Sequence, residues 1–447
     1  MAGRGDHILS GWSNFWVIWS GQFVSMFGSG LTTFSLAFWA FHETDRASYI
    51  ALITFSKFAT TAIASPFAGI LADRFDRKIL ILLGNLGLML LSAIMCALSI
   101  VNHLSYEVVI GILALSGLCD AVQLISFDSI VSLIAPSRKH FSKVNAMISL
   151  ANKAPQVVAP LVASLLLGSV GLSLILMVDS GTFLFCIITL LLASVPQKLE
   201  SRHKLQLLNE LKFPLNYIYS NAGLRRIQII SISINFLVGF AGSGSILPAL
   251  VLVYTHNNAG ILARVVSIGG CGAIIGGIVI GAWGGPRKKV HGILIGVLVS
   301  SLCGRFLVGV GHTQFTWILG VFVIQMMIPL INSSDQAIWQ AKVPQEIQGK
   351  VFSARIIAGD ISYPLGILVS GFLADHFFTP SMAQQGTYLV SIFGWIVGHG
   401  PGAGLSLMYV ISAILGGGVA IWGYLSGAVR GIEQSEPTVS RGVQALK

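Results

Sequence analysis

Ionisable side chains stand inside long apolar runs of this 447-residue chain, and some fall close to the midpoints of their runs. At a rise of about 1.5 Å per residue, four of them share one depth in a membrane: Lys57, Asp120, Lys153 and Asp360. A charge in the hydrocarbon layer costs at least about 2.5 kcal/mol on insertion scales, so each is a functional hypothesis. The shared depth predicts charge pairing around a water-filled path. Structural ion pairs that join neighbouring helices are the alternative.

Asp120 is the expected proton carrier of this set. A carrier must change its proton affinity as its surroundings alternate between wet and dry, and a buried carboxyl responds both to desolvation and to a nearby cation. Asp120 meets this requirement if Lys57 or Lys153 approaches it in only one state of the protein. Asp360 is the competing candidate.

A second set of charges lies away from the midplane. By the same helical rise, three residues fall roughly 10 Å towards the predicted cytoplasmic side: Asp128, Asp335 and Arg355. Salt bridges of an inner gate are their expected role.

Several uncharged side chains are candidates for contact with a small molecule. Aromatic residues recur at helical spacing on the first apolar run, where they would form a pocket for a bulky substrate: Trp16, Trp19, Phe23 and Phe27. Polar side chains in later runs would orient polar substrate atoms: Asn235, Gln325 and Asn332. Lipid-facing aromatics and hydrogen bonds between helices are the alternatives.

The amino-acid composition indicates that the candidate residues above lie in a membrane protein. Hydrophobic residues make up 54% of the chain and charged residues 10%, with a mean hydropathy of +0.81. A soluble domain has about 25% charged residues, so the chain is predicted to be an integral membrane protein, and soluble enzymes are excluded. The net charge of +10 lies in short loops, which argues against nucleic acid. A phosphate-loop motif and metal-ligand spacings are absent from the sequence, so we expect no nucleotide, metal or cofactor.

Twelve apolar runs of about 20 residues predict an all-α protein with twelve transmembrane helices. The runs lie near 15–41, 48–72, 79–101, 108–134, 143–168, 172–195, 227–253, 263–284, 292–311, 316–340, 351–374 and 405–429. The predicted organisation is a six-helix bundle over 1–195, a cytoplasmic linker over 196–226, a second bundle over 227–429 and a cytoplasmic tail over 430–447. With both termini in the cytoplasm, 21 of the 27 Lys and Arg residues fall on the cytoplasmic side. The long connection 375–404 is expected to be an outer loop.

The two predicted bundles are weak repeats of each other. Asp128, Lys143 and Lys153 have charged counterparts 207 residues later, and the counterpart of Lys153 is Asp360. Duplication of six helices is typical of secondary transporters. Because Lys153 and Asp360 carry opposite charges at equivalent positions, we expect them to pair across a cavity in one state.

The segment G-I-L-A-D-R-F-D-R-K over 69–78 resembles the loop between helices two and three of the major facilitator superfamily. The stretches 283–289, 337–353 and 400–404 resemble, more narrowly, the branch with macrolide efflux proteins and the enterobactin exporter. The resemblance implies two pseudo-symmetric six-helix bundles and a cytoplasmic gate latch formed by the loop residues Gly69, Asp73, Arg74, Arg77 and Lys78. It also places Asp179 and Arg305 on peripheral helices, as structural residues.

Two features depart from that pattern. Asp76 stands where the superfamily loop usually has glycine, and the run 108–134 lacks the arginine that many drug/proton antiporters place in helix four. Efflux architecture is therefore a firmer expectation than proton antiport.

The expected function is export of a bulky, partly apolar molecule, such as a macrolide, siderophore or peptide, by alternating access with proton antiport. The open alternatives are an uptake symporter or facilitator of a metabolite, and a membrane sensor or scaffold without transport. A monomer in a bacterial inner membrane is expected, with a small-molecule substrate, protons and the lipid bilayer as its partners.

Overall fold

Helices account for the architecture of the computed structural model, which describes residues 11–134, 140–195, 207–384 and 386–434. Within these ranges there is no β-strand, and ten helices are long and apolar enough to cross a membrane. A helix satisfies every backbone hydrogen bond within its own segment, as the hydrocarbon layer demands. The chain is an all-α integral membrane protein.

The chain divides into two compact units, 1–45 with 52–203 and 46–51 with 204–447. The helices of the first are α1 (Gly11–Thr44), α2 (Ala47–Arg74), α3 (Arg77–Ile100), α4 (Tyr106–Ile134) and α5 (Phe141–Leu192), of which α2 begins in the second unit. Gly171, with a φ of 77°, interrupts α5 between the predicted spans 143–168 and 172–195. One apolar helix thus holds two predicted spans.

Close contacts between backbone and side chain hold α1 against the second half of α5. A Cβ atom at Gly21 would lie 2.0 Å from the Thr189 hydroxyl, and one at Gly28 would lie 2.2 Å from that of Thr182. Small residues at such positions let membrane helices pack closely. The buried cluster at one end of this unit includes Phe15, Ile18, Ile81, Phe127, Ile130 and Leu190.

The second unit contains twelve helical segments among its described residues. They are α6 (Leu207–Ser220), α7 (Ala222–Phe240), α8 (Ile246–Tyr254), α9 (Ala259–Trp283), α10 (Lys289–Val299), α11 (Phe306–Val310), α12 (Gln314–Lys342), α13 (Gln345–Leu373), α14 (Thr379–Ala383), α15 (Tyr388–Val397), α16 (Ala403–Leu425) and α17 (Gly427–Arg430). The predicted linker 196–226 therefore includes α6, while 196–206 and the tail beyond 434 lie outside the described residues.

Three places in the helices of this unit depart from a regular α-helix. The predicted span 227–253 is interrupted at 241–245, between α7 and α8. A π-helical turn, Ser300–Arg305, joins α10 to α11, and another, Ala374–Phe378, joins α13 to α14. With the interrupted spans counted in this way, the helices are consistent with the twelve predicted.

The prediction of a loop over 375–404 needs correction. The π-helical turn Ala374–Phe378, α14 and α15 occupy much of this range. The physical reason is the apolar sequence of α15, Tyr388–Val397, which has strong hydrophobic character but is too short to span a bilayer. Only short irregular stretches remain on either side of it.

Candidate functional site

An ion pair inside the first unit joins two of the four midplane charges. The ammonium of Lys57 on α2 lies 2.8 Å from a carboxylate oxygen of Asp120 on α4. The two side chains are 25% and 28% exposed, so the protein encloses the pair only in part.

The backbones of α2 and α4 come together beside this pair. Gly117, one turn before Asp120, is so close to α2 that an added Cβ would lie 2.4 Å from the Lys57 carbonyl oxygen. The Thr61 hydroxyl lies 2.9 Å from the Lys57 carbonyl oxygen and 3.1 Å from the Gly117 carbonyl oxygen. Glycine at 117 therefore sets the distance across which Lys57 reaches Asp120.

Replacing Gly117 with alanine is expected to weaken the ion pair. The new methyl group would overlap backbone atoms of α2, so the helices must move apart, at about 1–3 kcal/mol for an overpacked site. Thermal unfolding of the purified protein should show the loss of stability. Gly111→Ala is the matched control, because a Cβ at Gly111 on the same helix meets no atom within 4 Å. Equal stability of the two variants would contradict the close approach.

Asp179 belongs to the same electrostatic cluster, which the sequence analysis did not foresee. It lies on the second half of α5, is only 4% exposed, and accepts a hydrogen bond of 3.1 Å from the Ser92 hydroxyl of α3. Lys57 and Asp120 both act on it electrostatically. The signal available in the sequence was an aspartate in the middle of an apolar run, but the expected peripheral position concealed it.

The other two midplane charges lie one in each unit. Lys153 on α5 and Asp360 on α13 are both exposed, and neither forms an ion pair with a described residue of its own unit. Their pairing stays a prediction. Asp128 on α4 is likewise exposed, with no ion pair in the described part of the first unit.

A second ion pair lies in the second unit. Arg355 on α13 contacts Asp335 on α12 at 2.5 Å and donates a further hydrogen bond of 2.9 Å to Gln336. The Trp339 indole donates to the other oxygen of Asp335 at 3.2 Å, and the guanidinium lies 5.1 Å from the centre of the same indole ring. The structure thus brings together two predicted gate residues and adds Gln336 and Trp339.

The loop between α2 and α3 is held within its own unit. Asp76 is the N-cap of α3, accepting from the backbone N–H of Lys78 at 2.8 Å. Arg77 donates to the Ser129 carbonyl at 3.2 Å, and Lys78 donates to that of Ala193 at 2.7 Å. The residue that departs from the expected glycine therefore ends the loop and starts the next helix.

The remaining latch residues make fewer contacts. Asp73 and Arg74, in the last turn of α2, are exposed, and Asp73 does not cap a helix within the described first unit. A Cβ at Gly69 would meet no described atom of this unit within 4 Å. The latch role of these three residues stays a prediction.

Comparison with known proteins gives the family. The sequence profile described as Major Facilitator Superfamily matches residues 18–367 of this chain. The chain belongs to the major facilitator superfamily. It is therefore a membrane transporter and not an enzyme.

Relatives within the superfamily include efflux-type proteins. Macrolide efflux protein A of Streptococcus pyogenes is 21% identical over 374 residues, covering 81% of this chain and 89% of its own. Multidrug resistance protein MdtG of Enterobacter lignolyticus (strain SCF1) is 26% identical over 338 residues, covering 72% and 74%. These relatives support an efflux-type transporter.

Solved structures of superfamily transporters share the fold. A bacterial homologue of the human lysosomal transporter Spinster has a TM-score of 0.67 at 14% identity, covering 98% of this chain and 100% of that one. The nucleoside transporter NupG also has a TM-score of 0.67, at 12% identity, covering 95% and 100%. At these identities the likeness concerns the fold alone.

Three of the four aromatic candidates form a row on α1 of this superfamily member. Trp16, which is 47% exposed, meets Trp19 edge-on at 5.4 Å between ring centres, and Trp19 stacks on Phe23 at 5.2 Å. The Trp19 indole also donates to the Met147 carbonyl at 2.8 Å. Phe27 is half-buried outside this row. The row offers an apolar surface, fixed at its centre by one hydrogen bond.

The polar candidates occupy three different environments. The amide nitrogen of Asn235 lies 3.2 Å from where a Cβ of Gly359 would stand, so it packs between α7 and α13. Gln325 lines a cavity of about 170 Å³ within the second unit, and Asn332 is exposed. Sequence reasoning also missed a buried hydrogen bond of 2.9 Å between Gln123 and Gln22 of the first unit.

Proposed function

We propose that this transporter is a secondary-active exporter that moves a bulky, partly apolar molecule out of the cell while protons move in. The observation that carries the proposal is the Lys57–Asp120 pair, a partly exposed ion pair inside two apolar helices. Charges in a membrane span cost free energy, and ionisable residues that are kept there commonly mark a transport pathway. The similarity to a macrolide efflux protein and a multidrug resistance protein supports the outward direction and the substrate class.

Asp120 is the proposed proton carrier. Its carboxylate lies 2.8 Å from the Lys57 ammonium, and this pairing is the interaction that we propose to change during the transport cycle. The row formed by the exposed Trp16 and the half-buried Trp19 and Phe23 is the proposed apolar contact surface for the substrate.

The proposed gate elements lie in both units. The Asp335–Arg355 pair is the proposed inner gate contact of the second unit, together with the exposed Asp73 of the first. The proposed setting is a bacterial inner membrane with both termini in the cytoplasm, which the distribution of Lys and Arg supports. The two bundles over 1–195 and 227–429 are the proposed moving parts.

Transport by inverted membrane vesicles tests this function. With an acidic lumen, an exporter coupled to protons should accumulate a radiolabelled macrolide, siderophore or hydrophobic peptide, and a protonophore should release it. Vesicles without the protein are the control. Accumulation only in right-side-out vesicles with an acidic exterior would contradict export. Failure to accumulate any member of the panel would contradict the substrate class.

A further inference from the structure

A buried arginine in the second unit has no carboxylate partner among the residues of that unit that the structure describes. Arg305, at the end of the π-helical turn, is 3% exposed. Its guanidinium contacts the hydroxyls of Ser300 and Ser301 at 3.4 Å each, which is long for a hydrogen bond, and its Nε is buried without any partner. An arginine remains protonated in proteins, so the charge cannot be removed by titration.

The described part of the second unit supplies no carboxylate to this guanidinium. Asp335 is committed to Arg355, and Asp360 is exposed, with no ion pair to a described residue. The phenol of Tyr409, itself 1% exposed, is the group that interacts electrostatically with Arg305. A buried charge without a counter-ion is costly. The surroundings of Arg305 therefore lack a negative charge that a bound ligand could supply.

Arg305 opens onto the cavity of about 170 Å³ that Gln325 also lines. This volume is far above the ~10–15 Å³ that one water molecule needs. Tyr409 and Ser243 add hydroxyl-bearing side chains to the lining, and Leu247 adds an apolar one. A small ligand would therefore meet the guanidinium, polar groups and an apolar wall together.

The chain between α7 and α8 lines the same cavity through Gly242 and Ser243, and Leu247 belongs to the first turn of the nine-residue helix α8. The amide of Leu247 donates to the Gly242 carbonyl oxygen at 3.2 Å, and Pro248 has no N–H, so the amino end of α8 offers few free donors. Arg305 is the one cationic side chain among the described residues that line the cavity.

We infer that the cavity is a binding site for one monovalent anion, either chloride or the carboxylate group of a small molecule. One guanidinium balances one negative charge, and the apolar part of the lining disfavours strongly hydrated dianions such as sulfate. The guanidinium and the amide of Gln325 are the donors that would hold the anion. The site lies wholly in the second unit and is separate from the proposed proton carrier at Asp120.

Thermal unfolding of the purified full chain in different sodium salts tests the site. Chloride, acetate and gluconate are compared at equal ionic strength, with gluconate as the large anion that the cavity should exclude. A saturable rise of the melting temperature in chloride or acetate is expected, because a ligand that binds only the folded state stabilises it. A rise in chloride alone identifies an ion site, and a rise in acetate alone identifies a site for a substrate carboxylate.

Arg305→Met should abolish the rise of the melting temperature in chloride or acetate. Without a binding anion, the substitution should stabilise the protein. In gluconate this variant is expected to melt at a higher temperature than the wild type, since it lacks the unbalanced charge. A purely structural Arg305 would instead make the variant less stable in every salt. Arg264→Gln, at an exposed arginine on α9, is the matched control and should keep the full response.

If Arg305→Met does not fold, Tyr409→Phe is the variant that tests the anion site. It preserves the shape of the cavity and removes one hydroxyl, so the response should require a higher anion concentration. The inference is overturned if the wild type melts alike in all three salts, or if both cavity variants respond as the wild type does.

Discussion

Asp120→Asn is expected to abolish export driven by a pH gradient while substrate binding and downhill exchange continue. Exchange needs the conformational cycle but no net proton movement, whereas uphill export requires a group that binds a proton on one side and releases it on the other. The amide of asparagine has nearly the shape of the carboxylate and cannot take that role. Lys57 would lose its 2.8 Å charge partner, but the amide oxygen of asparagine can still accept a hydrogen bond from its ammonium, so folding should survive.

Inverted vesicles measure both activities of this variant. Accumulation of a radiolabelled substrate with an acidic lumen should fall to the level seen without a gradient, and counterflow from preloaded vesicles should remain. Glu107→Gln is the matched control, because Glu107 is an exposed acidic residue in the first turn of the same helix and has no proposed role in transport. Full pH-driven accumulation by Asp120→Asn would exclude it as the carrier. Joint loss of binding and expression would indicate a structural ion pair instead.

Arg355→Gln is expected to lower the free energy of unfolding by about 3–5 kcal/mol, the usual result of removing one partner of a buried ion pair. The side chains of Arg355 and Asp335 are 14% and 10% exposed, so water replaces little of the lost interaction. The Trp339 indole would still donate to Asp335, but a neutral donor does not balance a carboxylate. The packing of the guanidinium against this indole ring would be lost as well.

Unfolding of the purified protein in detergent measures this effect. The double variant Asp335→Asn with Arg355→Gln should recover part of the stability, because it removes the stranded carboxylate. Arg264→Gln is again the control, since an exposed arginine contributes little. A double variant that is no more stable than Arg355→Gln alone would contradict a direct interaction between the two side chains.

The helices could be predicted from the sequence because hydropathy and length decide them. The partners of the midplane charges could not, because the rise per residue gives depth but not the direction in which a side chain points. Lys57 and Lys153 were equal candidates for Asp120, and the close approach of α2 at Gly117 selects Lys57. The place of Asp179 in this electrostatic cluster could not be predicted for the same reason, since its burial depends on how α5 turns against α1 and α3.

The π-helical turns were also beyond prediction. A π-helical turn holds one residue more than a regular turn, and apolar sequence alone does not mark where that residue enters. The surroundings of the Arg355 guanidinium, a hydrogen-bond acceptor and an indole ring, depend on the same kind of detail. Gln336 follows Asp335 directly and Trp339 lies four residues on, but only the packing of α12 against α13 brings both to the guanidinium.

The turn Ser300–Arg305 also determines which lengths of this segment are compatible with the fold. Gly309 lies after the turn and presses against α16, where an added Cβ would stand 2.8 Å from the Ser406 carbonyl oxygen. If the turn became regular without losing a residue, everything after it would rotate by about 100°, and Gly309 would leave α16. A relative that lacks one residue at this place can keep both flanking faces in phase. A single-residue gap aligned to 300–305 is therefore the length difference that this helix tolerates best.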